Sequence, residues 1–426
     1  MTDAAAVFAR AAGRHDRMFW LDGGGARPWS GRRSVIGWLA DDDVSLTFDA
    51  SRLEVRRHRG RRSDVVGDDI FSSLADRVAE DADDPDVSWV GYFGYACRAD
   101  LPARVAAGPR ARRTPDAVWM RVRTPMVFDH AAPPTSEVKR EAYRTVDVPT
   151  SEGGAATGWY ADAYERVQEQ LRLGNTYEVN LTYRERIRSR TDPVTAYLRL
   201  RAANPAPYAG YLQHHGHTLL SSSPERFATL TRDRWLETRP IKGTTPRGAT
   251  AEQDAANRRA LAEHPRYRAE NLMVTDLLRN DLSLVCEPGT VTVPGLMQVE
   301  SYPAVHQLVS TVRGRLRPDI GTVAALRALF PAGSMTGAPK LRTMQVIADV
   351  ESTPREVYAG AFGWIGCDGR ADLGVVIRSL VGGPGTTYWD YTLGTGGGIT
   401  VHSDPASEYA ETRWKSQRLR AVLDPR

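Results

Sequence analysis

Short apolar runs of strand length, separated by turn-rich segments, restrict the fold of this chain more than any other feature of its sequence. Runs of this kind with β-branched and aromatic residues are typical of strands, and the turns between them are typical of hairpins. In the first part of the chain they lie at 34–40, 44–48, 87–95 and 117–128, whereas 68–81 has apolar residues at helical spacing. Many hairpin-like strands with segregated helices predict an α+β fold with antiparallel sheets.

The segment 131–157 contains AAPP and EGGAATG and is predicted to be a surface connection. It separates an N-terminal part, residues 1–130, from a C-terminal part, residues 158–426. The C-terminal part is predicted to begin with an amphipathic helix over 158–174 that ends at Gly174.

Charge and cysteine content exclude several classes of function. The chain has 426 residues and a formal net charge of +4, and its basic runs are balanced by acidic runs. It has no sustained basic face with interleaved aromatic residues, so we do not predict a nucleic-acid partner. The cysteines, Cys97, Cys286 and Cys367, lie far apart, which argues against a disulfide framework and a cysteine metal site. No apolar signal core or bilayer-spanning stretch is present, so we expect a cytoplasmic protein without a membrane partner.

Charged side chains with apolar neighbours occur in four short blocks. Glu225 lies in SSSPERF, and Lys242 lies in the turn-rich stretch TRPIKGTTPRG. Glu270 lies on a predicted helix over 269–282, on the face that carries apolar residues at i+3, i+4 and i+7. A carboxylate on such a face is costly unless a partner satisfies it.

The fourth block is a predicted C-terminal helix with Asp404 as N-cap and Pro405 at its first position. Inward carboxylates on two helices, with a glycine loop at 395–399 nearby, suggest a hard cation such as Mg²⁺ shared with an anionic ligand. Two alternatives stay open: a buried carboxylate can pair with an arginine, and the glycines can form a plain turn. The inward charged stripe of the C-terminal helix consists of Glu408, Glu411 and Lys415.

Several blocks from about Pro115 to the end of the chain, in order, resemble the chorismate-utilising enzymes. That family includes the large subunits of anthranilate synthase and 4-amino-4-deoxychorismate synthase and, more distantly, isochorismate and salicylate synthases. The resemblance implies two large antiparallel sheets packed as a sandwich with helices on the outside. The matching blocks include GNTYEVNLT (174–182), LLSSSPERF (219–227), TRPIKGTTPRG (238–248), AENLMVTDLLRNDL (269–282), FPAGSMTGAPK (330–340), YAGAFGWIG (358–366), LGVVIRSLV (373–381) and GGGITVHSDPASEYAET (396–412).

The resemblance implies a Mg²⁺ ion that holds the carboxylate of chorismate. Its ligands would be Glu270 and Glu411, with Glu408 supporting through water. The position three residues before Glu270 is often acidic in the family, but here it is Tyr267, so one outer carboxylate is missing.

Further residues match groups that bind the substrate or assist the reaction in the family. Glu225 matches the general acid that protonates the departing 4-hydroxyl, and His306 matches a histidine linked to aromatisation, although a packing role for His306 stays open. An arginine and a lysine suit a dicarboxylate ligand. The substrate-binding counterparts are Thr336, Gly337, Tyr358, Arg378, Gly396, Gly397, Gly398 and Lys415.

Two positions distinguish the activities within the family. Isochorismate and salicylate synthases have a lysine base where this chain has Glu178, and anthranilate synthases have a small residue where it has Lys242. PIKGT is similar to aminodeoxychorismate synthases, in which the lysine is a covalent nucleophile at C2 of chorismate. We therefore expect amination at C4 to give 4-amino-4-deoxychorismate. A reactive lysine must be neutral, and we expect burial, with Arg239 or Arg247 nearby, to lower the pKa of Lys242.

No cysteine lies in a glycine-rich nucleophile turn, so we expect ammonia to come from a separate glutamine amidotransferase subunit. Two other functions remain as alternatives. One is an anthranilate or 2-amino-2-deoxyisochorismate synthase, which aminates C2, and the other is a catalytically silent scaffold for an amidotransferase.

Overall fold

The computed structural model describes residues 4–23, 33–60, 62–106, 113–130, 158–302 and 305–423, so the predicted connection 131–157 lies outside the described residues. The helices within these ranges are Ala4–Ala12 (α1), Ile70–Glu80 (α2), Gly158–Arg172 (α3), Pro193–Ala203 (α4), Ala251–Glu263 (α5), Pro265–Ser283 (α6), Thr322–Leu329 (α7), Lys340–Val350 (α8) and Pro405–Leu423 (α9). The strands are Arg17–Asp22 (β1), Arg33–Trp38 (β2), Val44–Asp49 (β3), Glu54–Arg59 (β4), Arg62–Gly67 (β5), Val87–Phe93 (β6), Ala117–Arg123 (β7), Met126–Asp129 (β8), Glu178–Ser189 (β9), Tyr208–His214 (β10), His217–Ser223 (β11), Arg226–Leu230 (β12), Trp235–Arg239 (β13), Ile241–Pro246 (β14), Thr292–Ser301 (β15), Val305–Arg315 (β16), Gly337–Ala338 (β17), Ala361–Gly366 (β18), Ala371–Val375 (β19), Ser379–Pro384 (β20) and Trp389–Ile399 (β21).

The strands form two sheets whose neighbours pair antiparallel. The first has the order β17-β9-β21-β20-β11-β10-β1-β2-β8. The second has the order β14-β16-β13-β12-β19-β18-β6-β7-β3-β4-β5, with β15 paired to β16. Strands from before and after the connection 131–157 therefore share both sheets.

The two sheets pack face to face through one apolar cluster. Phe19 and Leu212 of the first sheet lie in it with Tyr92, Met120 and Phe362 of the second. Glycines permit the close approach, because a side chain at Gly210 would meet the ring of Phe362. The alternation of strand side chains places the other face of each sheet outward, where it requires a second covering layer.

Helices supply that covering layer on both sides. Phe8, Tyr197 and Leu419, from α1, α4 and α9, pack on the first sheet. Phe71 and Val274, from α2 and α6, pack on the second sheet in a cluster that also contains residues of α7. The layers are helix, sheet, sheet and helix, which confirms the predicted α+β sandwich.

Local signals in the sequence account for several element ends. The run 117–128 is two strands, because Thr124 between them turns the chain with φ of 50°. Gly174, after α3, has φ of 70°, as expected of a residue that ends a helix. Asp404 caps α9 by accepting a hydrogen bond from Ser407 N at 2.8 Å. The helix predicted over 269–282 begins earlier, at Pro265.

Two further observations concern the described residues only. None of their helices is both long enough and apolar enough to cross a membrane. Cys97, Cys286 and Cys367 are buried free thiols.

Candidate active site

One cleft, of about 980 Å³ and partly open to solvent, lies where the ends of the two sheets meet beneath α6 and α9. Its walls include β14 from the edge of the second sheet and β21 from the first. The connections β11–β12 and β19–β20 pass from one sheet to the other and add Glu225 and Arg378. The cleft brings together these predicted residues: Glu225, Lys242, Glu270, Tyr358, Arg378, Gly396, Gly397, Gly398, Glu408, Glu411 and Lys415.

Lys242 forms a buried ion pair with Glu178 at one wall of the cleft. The side chains belong to β14 and β9, and the two residues are 8% and 1% exposed. Glu178 Oε1 accepts the hydrogen bond from Lys242 Nζ, whereas Glu178 Oε2 has no hydrogen-bond partner among the described residues.

The expectation that the pKa of Lys242 is lowered was wrong. Burial alone lowers the pKa, but the negative charges of Glu178, Glu270 and Glu225 outweigh burial and raise it. The two arginines expected to repel the amine are engaged elsewhere. Arg239 pairs with Glu300, and Arg247 Nε lies 2.7 Å from Asp254 Oδ1.

The three glycines expected in a loop lie instead in β21, where they pair with β9. Their contribution is space, because a Cβ atom on Gly398 would overlap Glu178 Oε1 and lie 3.0 Å from Lys242 Nζ. A Cβ atom on Gly397 would lie 3.4 Å from Glu408 Oε2. The missing side chains therefore leave room for the buried charged groups.

Glu225 is a buried carboxyl that lines the cleft. It is 5% exposed at the corner between β11 and β12, and its carbonyl oxygen accepts a hydrogen bond from Val375 N at 3.0 Å. Burial raises the pKa of its carboxyl to about 7, against the opposing charge of Lys242. The nearby arginines of the sequence pair with other acids, Arg226 with Glu237 and Arg239 with Glu300.

The predicted metal ligands line the cleft, but an arginine already joins two of them. Arg266 Nε lies 2.8 Å from Glu270 Oε1, and the same guanidinium pairs with Glu408 Oε1. This buried pairing with arginine is one of the alternatives that the sequence left open for Glu270. Glu411 lies 2.7 Å from Lys415 Nζ, which also donates to the carbonyl oxygen of Gly396.

The donor chemistry of these carboxylates fits a hard divalent ion, but their present arrangement does not. Within the described ranges, no group of three acidic, histidine or cysteine side chains is arranged to hold a metal ion. Burial and the neighbouring charge of Glu411 raise the pKa of Glu408 to about 7, despite Arg266.

Arg378 is the cation of the cleft that lacks a carboxylate. No acidic side chain of the described residues forms a salt bridge with it, and its guanidinium carbon lies 5.6 Å from the ring centre of Trp414. Burial and the like charge of Arg418 lower the pKa of Arg378 to about 10. Tyr358 lines the same wall, and Arg184 lies over its ring at 5.4 Å. This wall can accept an anion without first breaking an ion pair.

Besides Arg266, the sequence patterns left several polar cleft residues unassigned. Asn180, Ser334 and Gln307 line the cleft, and Ser334 Oγ and Gln307 Oε1 are buried without a hydrogen-bond partner among the described residues. Buried polar atoms are normally satisfied, so these two are available to a ligand. Consecutive residues of a strand point to opposite faces, so His306 and Gln307 of β16 cannot both face the cleft. That alternation could have drawn attention to Gln307.

His306, the neighbour of Gln307, points away from the cleft. Its ring is held between Ser301 Oγ at 2.8 Å and Asp254 Oδ1 at 3.1 Å, which is a packing role. Thr336 and Gly337 also lie behind the cleft wall. Thr336 Oγ1 donates to the carbonyl oxygen of Gly333, and Gly337 pairs with β9 at a place where a Cβ atom would overlap the backbone of Glu178.

Comparisons with known proteins give the family. A model of chorismate binding enzymes matches residues 45–421. The aminodeoxychorismate synthase of Streptomyces pristinaespiralis is 41% identical over an alignment that covers 99% of this chain and 63% of that protein. The aminodeoxychorismate synthase component 1 of Klebsiella aerogenes is 37% identical, with 83% of this chain and 74% of that protein covered.

A solved structure gives the same fold. Anthranilate synthase component I from Streptococcus pneumoniae superposes with a TM-score of 0.73 at 24% identity, covering 93% of each chain. The chain thus spans about 63% of the length of its Streptomyces relative and nearly all of this solved structure. On the match over residues 45–421, the chain belongs to the chorismate-binding enzyme family.

Proposed function

We propose that this cleft aminates chorismate at C4 with ammonia and gives 4-amino-4-deoxychorismate. The observation that carries the proposal is Lys242, a buried amine beside a carboxylate in a cleft that contains an unpaired arginine. The names of the Streptomyces and Klebsiella relatives, aminodeoxychorismate synthase and its component 1, support the same choice.

Chorismate carries two carboxylates, and the cleft offers matching groups. Arg378 is the group best suited to one of them, because a guanidinium can donate two parallel hydrogen bonds and here has no competing salt bridge with the described residues. The Ser334 hydroxyl can donate a hydrogen bond to a carboxylate, whereas Gln307 Oε1 can only accept one, as from the 4-hydroxyl of the substrate. Lys415 is tied to Glu411 and reaches the substrate less freely.

The reaction uses Lys242 and Glu225 in sequence. Lys242 first gives its proton to Glu178, its hydrogen-bond acceptor. The neutral amine then attacks C2, both ring double bonds shift, and the 4-hydroxyl leaves as water with a proton from Glu225. Ammonia then attacks C4, the double bonds shift back, and the Lys242 nitrogen leaves C2. The net change is chorismate plus ammonia to the amino compound plus water. An arginine at position 242 cannot deprotonate and so cannot make the first attack.

We include Mg²⁺ in the proposal, held by Glu270 and Glu411 with Glu408 in support. When bound, it would offset the negative charge of a substrate carboxylate. Ammonia would come from glutamine through a separate amidotransferase subunit, which agrees with the component name of the Klebsiella relative.

The test is to incubate the purified chain with chorismate, Mg²⁺ and ammonium and to identify the product by mass and absorbance. We expect 4-amino-4-deoxychorismate, and glutamine should not replace ammonium without the partner. Anthranilate or 2-amino-2-deoxyisochorismate would place the amination at C2 and refute the proposal. An unchanged substrate under conditions in which chorismate binds would support a silent scaffold instead.

A further inference from the structure

Arg266 joins two buried carboxylates that come from different helices. It lies one turn before Glu270 on α6 and reaches across to Glu408 on α9. The side chains of Glu270 and Glu408 are 9% and 2% exposed, whereas that of Arg266 is 29% exposed. One guanidinium thus supplies a shared counter-charge to both acids, and it is more exposed than either of them.

Two carboxylates buried this deeply require a cation. Leaving a buried charge without its partner is strongly destabilising. Arginine keeps its charge at all ordinary pH values, so Arg266 is a permanent counter-charge. The guanidinium occupies Glu270 Oε1, which belongs to a proposed ligand of the ion, and Glu408 Oε1, which belongs to the acid proposed to support the ion.

We infer that Arg266 is a built-in counter-cation, and that its guanidinium and a divalent ion held by Glu270 and Glu411, with Glu408 in support, bind at this site in a mutually exclusive way. This inference rests on the proposed ion site. Its partial exposure gives Arg266 a path into solvent when the ion enters. The apparent affinity for the ion then equals the intrinsic affinity multiplied by the fraction of molecules in which Arg266 has moved away from the two carboxylates.

Arg266 has a second effect on the chain without an ion. It ties α6 to α9, the two helices that cover the cleft, through one side chain. Removing it leaves three acids of the cleft, Glu270, Glu408 and Glu411, with Lys415 as the neighbouring cation of α9. We therefore expect a variant without the Arg266 guanidinium to be less stable than the wild type, and to regain stability when a divalent ion is added.

The direct test measures the binding of Mn²⁺ alone to the metal-free protein by the paramagnetic resonance signal of free Mn²⁺. Arg266→Ala should bind Mn²⁺ about tenfold more tightly than the wild type, or more. Its unfolding temperature should be lower in chelator and should rise more on addition of Mn²⁺. Arg266→Gln is the second variant, for use if the alanine variant does not fold. It removes the charge but keeps a hydrogen-bond donor.

Arg279→Ala is the matched control on the same helix, because Arg279 forms an exposed pair with Asp276. It should leave the Mn²⁺ affinity unchanged. Equal affinities in the wild type and both Arg266 variants would overturn the inference while leaving the proposed ion in place. If neither the wild type nor any variant binds Mn²⁺, and amination proceeds in the presence of chelator, the proposed ion site is wrong and the inference is wrong with it.

Discussion

Lys242 Nζ donates a hydrogen bond to Glu178 Oε1 in the cleft, and the second carboxylate oxygen of Glu178 has no partner among the described residues. Burial lowers the pKa of the amine, but Glu178 and the neighbouring acids outweigh burial and raise it, while burial also raises the pKa of Glu178. A nucleophilic Lys242 must lose that proton before it attacks. The pair is therefore both a structural contact and the resting state of the proposed reaction.

The first prediction concerns the stability of this pair. Lys242→Met leaves the Glu178 carboxylate buried and unpaired, which should lower the free energy of unfolding by about 3–5 kcal/mol. Combining it with Glu178→Gln should restore part of that loss, because the uncompensated charge is gone. Denaturant unfolding of the single and double variants gives the coupling energy. Additive losses would show that the two side chains do not form a pair in solution.

The second prediction concerns Glu225 and pH. Burial raises the pKa of its carboxyl in the folded state to about 7 from the ordinary value of 4.5. The protonated carboxyl therefore contributes fully to the stability of the fold below pH 4.5, and this contribution is lost as the pH rises through 7. Glu225→Gln, which stays neutral, should therefore be more stable than the wild type at pH 8, by up to about 3 kcal/mol. The difference should vanish near pH 4.5. A constant difference at both pH values would contradict a raised pKa.

The same variant should lose about 10²–10⁴-fold in kcat for amination, because the amide cannot donate the proton that the departing hydroxyl needs. The KM for chorismate should change little. In the wild type, kcat should fall as pH rises through 7, since the acid must be protonated. A variant with unchanged kcat would remove Glu225 from the reaction.

The third prediction concerns the space provided by Gly398. A Cβ atom there would overlap Glu178 Oε1 and crowd Lys242 Nζ. Gly398→Ala should therefore displace the pair, reduce amination and destabilise the fold by about 1–3 kcal/mol. Gly321→Ala is the control, because a Cβ atom at Gly321 meets no atom within 4 Å. Equal effects at the two positions, measured by turnover and thermal unfolding, would rule out the steric explanation.

The fourth prediction separates binding from stability at Arg378. Its guanidinium lies near Arg418 without a carboxylate partner among the described residues, so Arg378→Met should not destabilise the unliganded fold. It should raise the KM for chorismate about tenfold or more, as expected for the loss of a charged hydrogen bond. Arg188→Met, which removes an exposed pair with Asp390, should leave both quantities unchanged. A lower unfolding temperature with normal KM would make Arg378 structural.

Patterns in the sequence predicted the fold where local chemistry decides it. Helical spacing at 68–81 predicted α2, and Asp404 with Pro405 predicted the start of α9. The glycines 396–398 were expected in a loop, because glycine carries no side-chain periodicity that would identify a strand. Only the pairing with β9, which is distant in the chain, places them in a sheet.

The charged partners in the site depend on tertiary structure. The sequence singled out Glu270 and Glu408 but could not identify Arg266 as their shared partner, because α6 and α9 meet only in the folded chain. It singled out His306, with a packing role left open, and did not consider its neighbour Gln307, whose side chain lines the cleft. The prediction of a lowered pKa for Lys242 was wrong for the same reason, because the charges around the amine come from elements that are distant in the sequence.

The most direct test of Lys242 as the nucleophile is the turnover of Lys242→Arg with chorismate and saturating ammonium. The variant keeps the positive charge but cannot supply a neutral amine, so amination should fall by about a hundredfold or more. Chorismate binding, followed by calorimetry, should stay measurable. The wild type, quenched after mixing with chorismate in the absence of ammonia, should carry on Lys242 the mass of chorismate less one water. Turnover at the wild-type rate by Lys242→Arg would contradict the account.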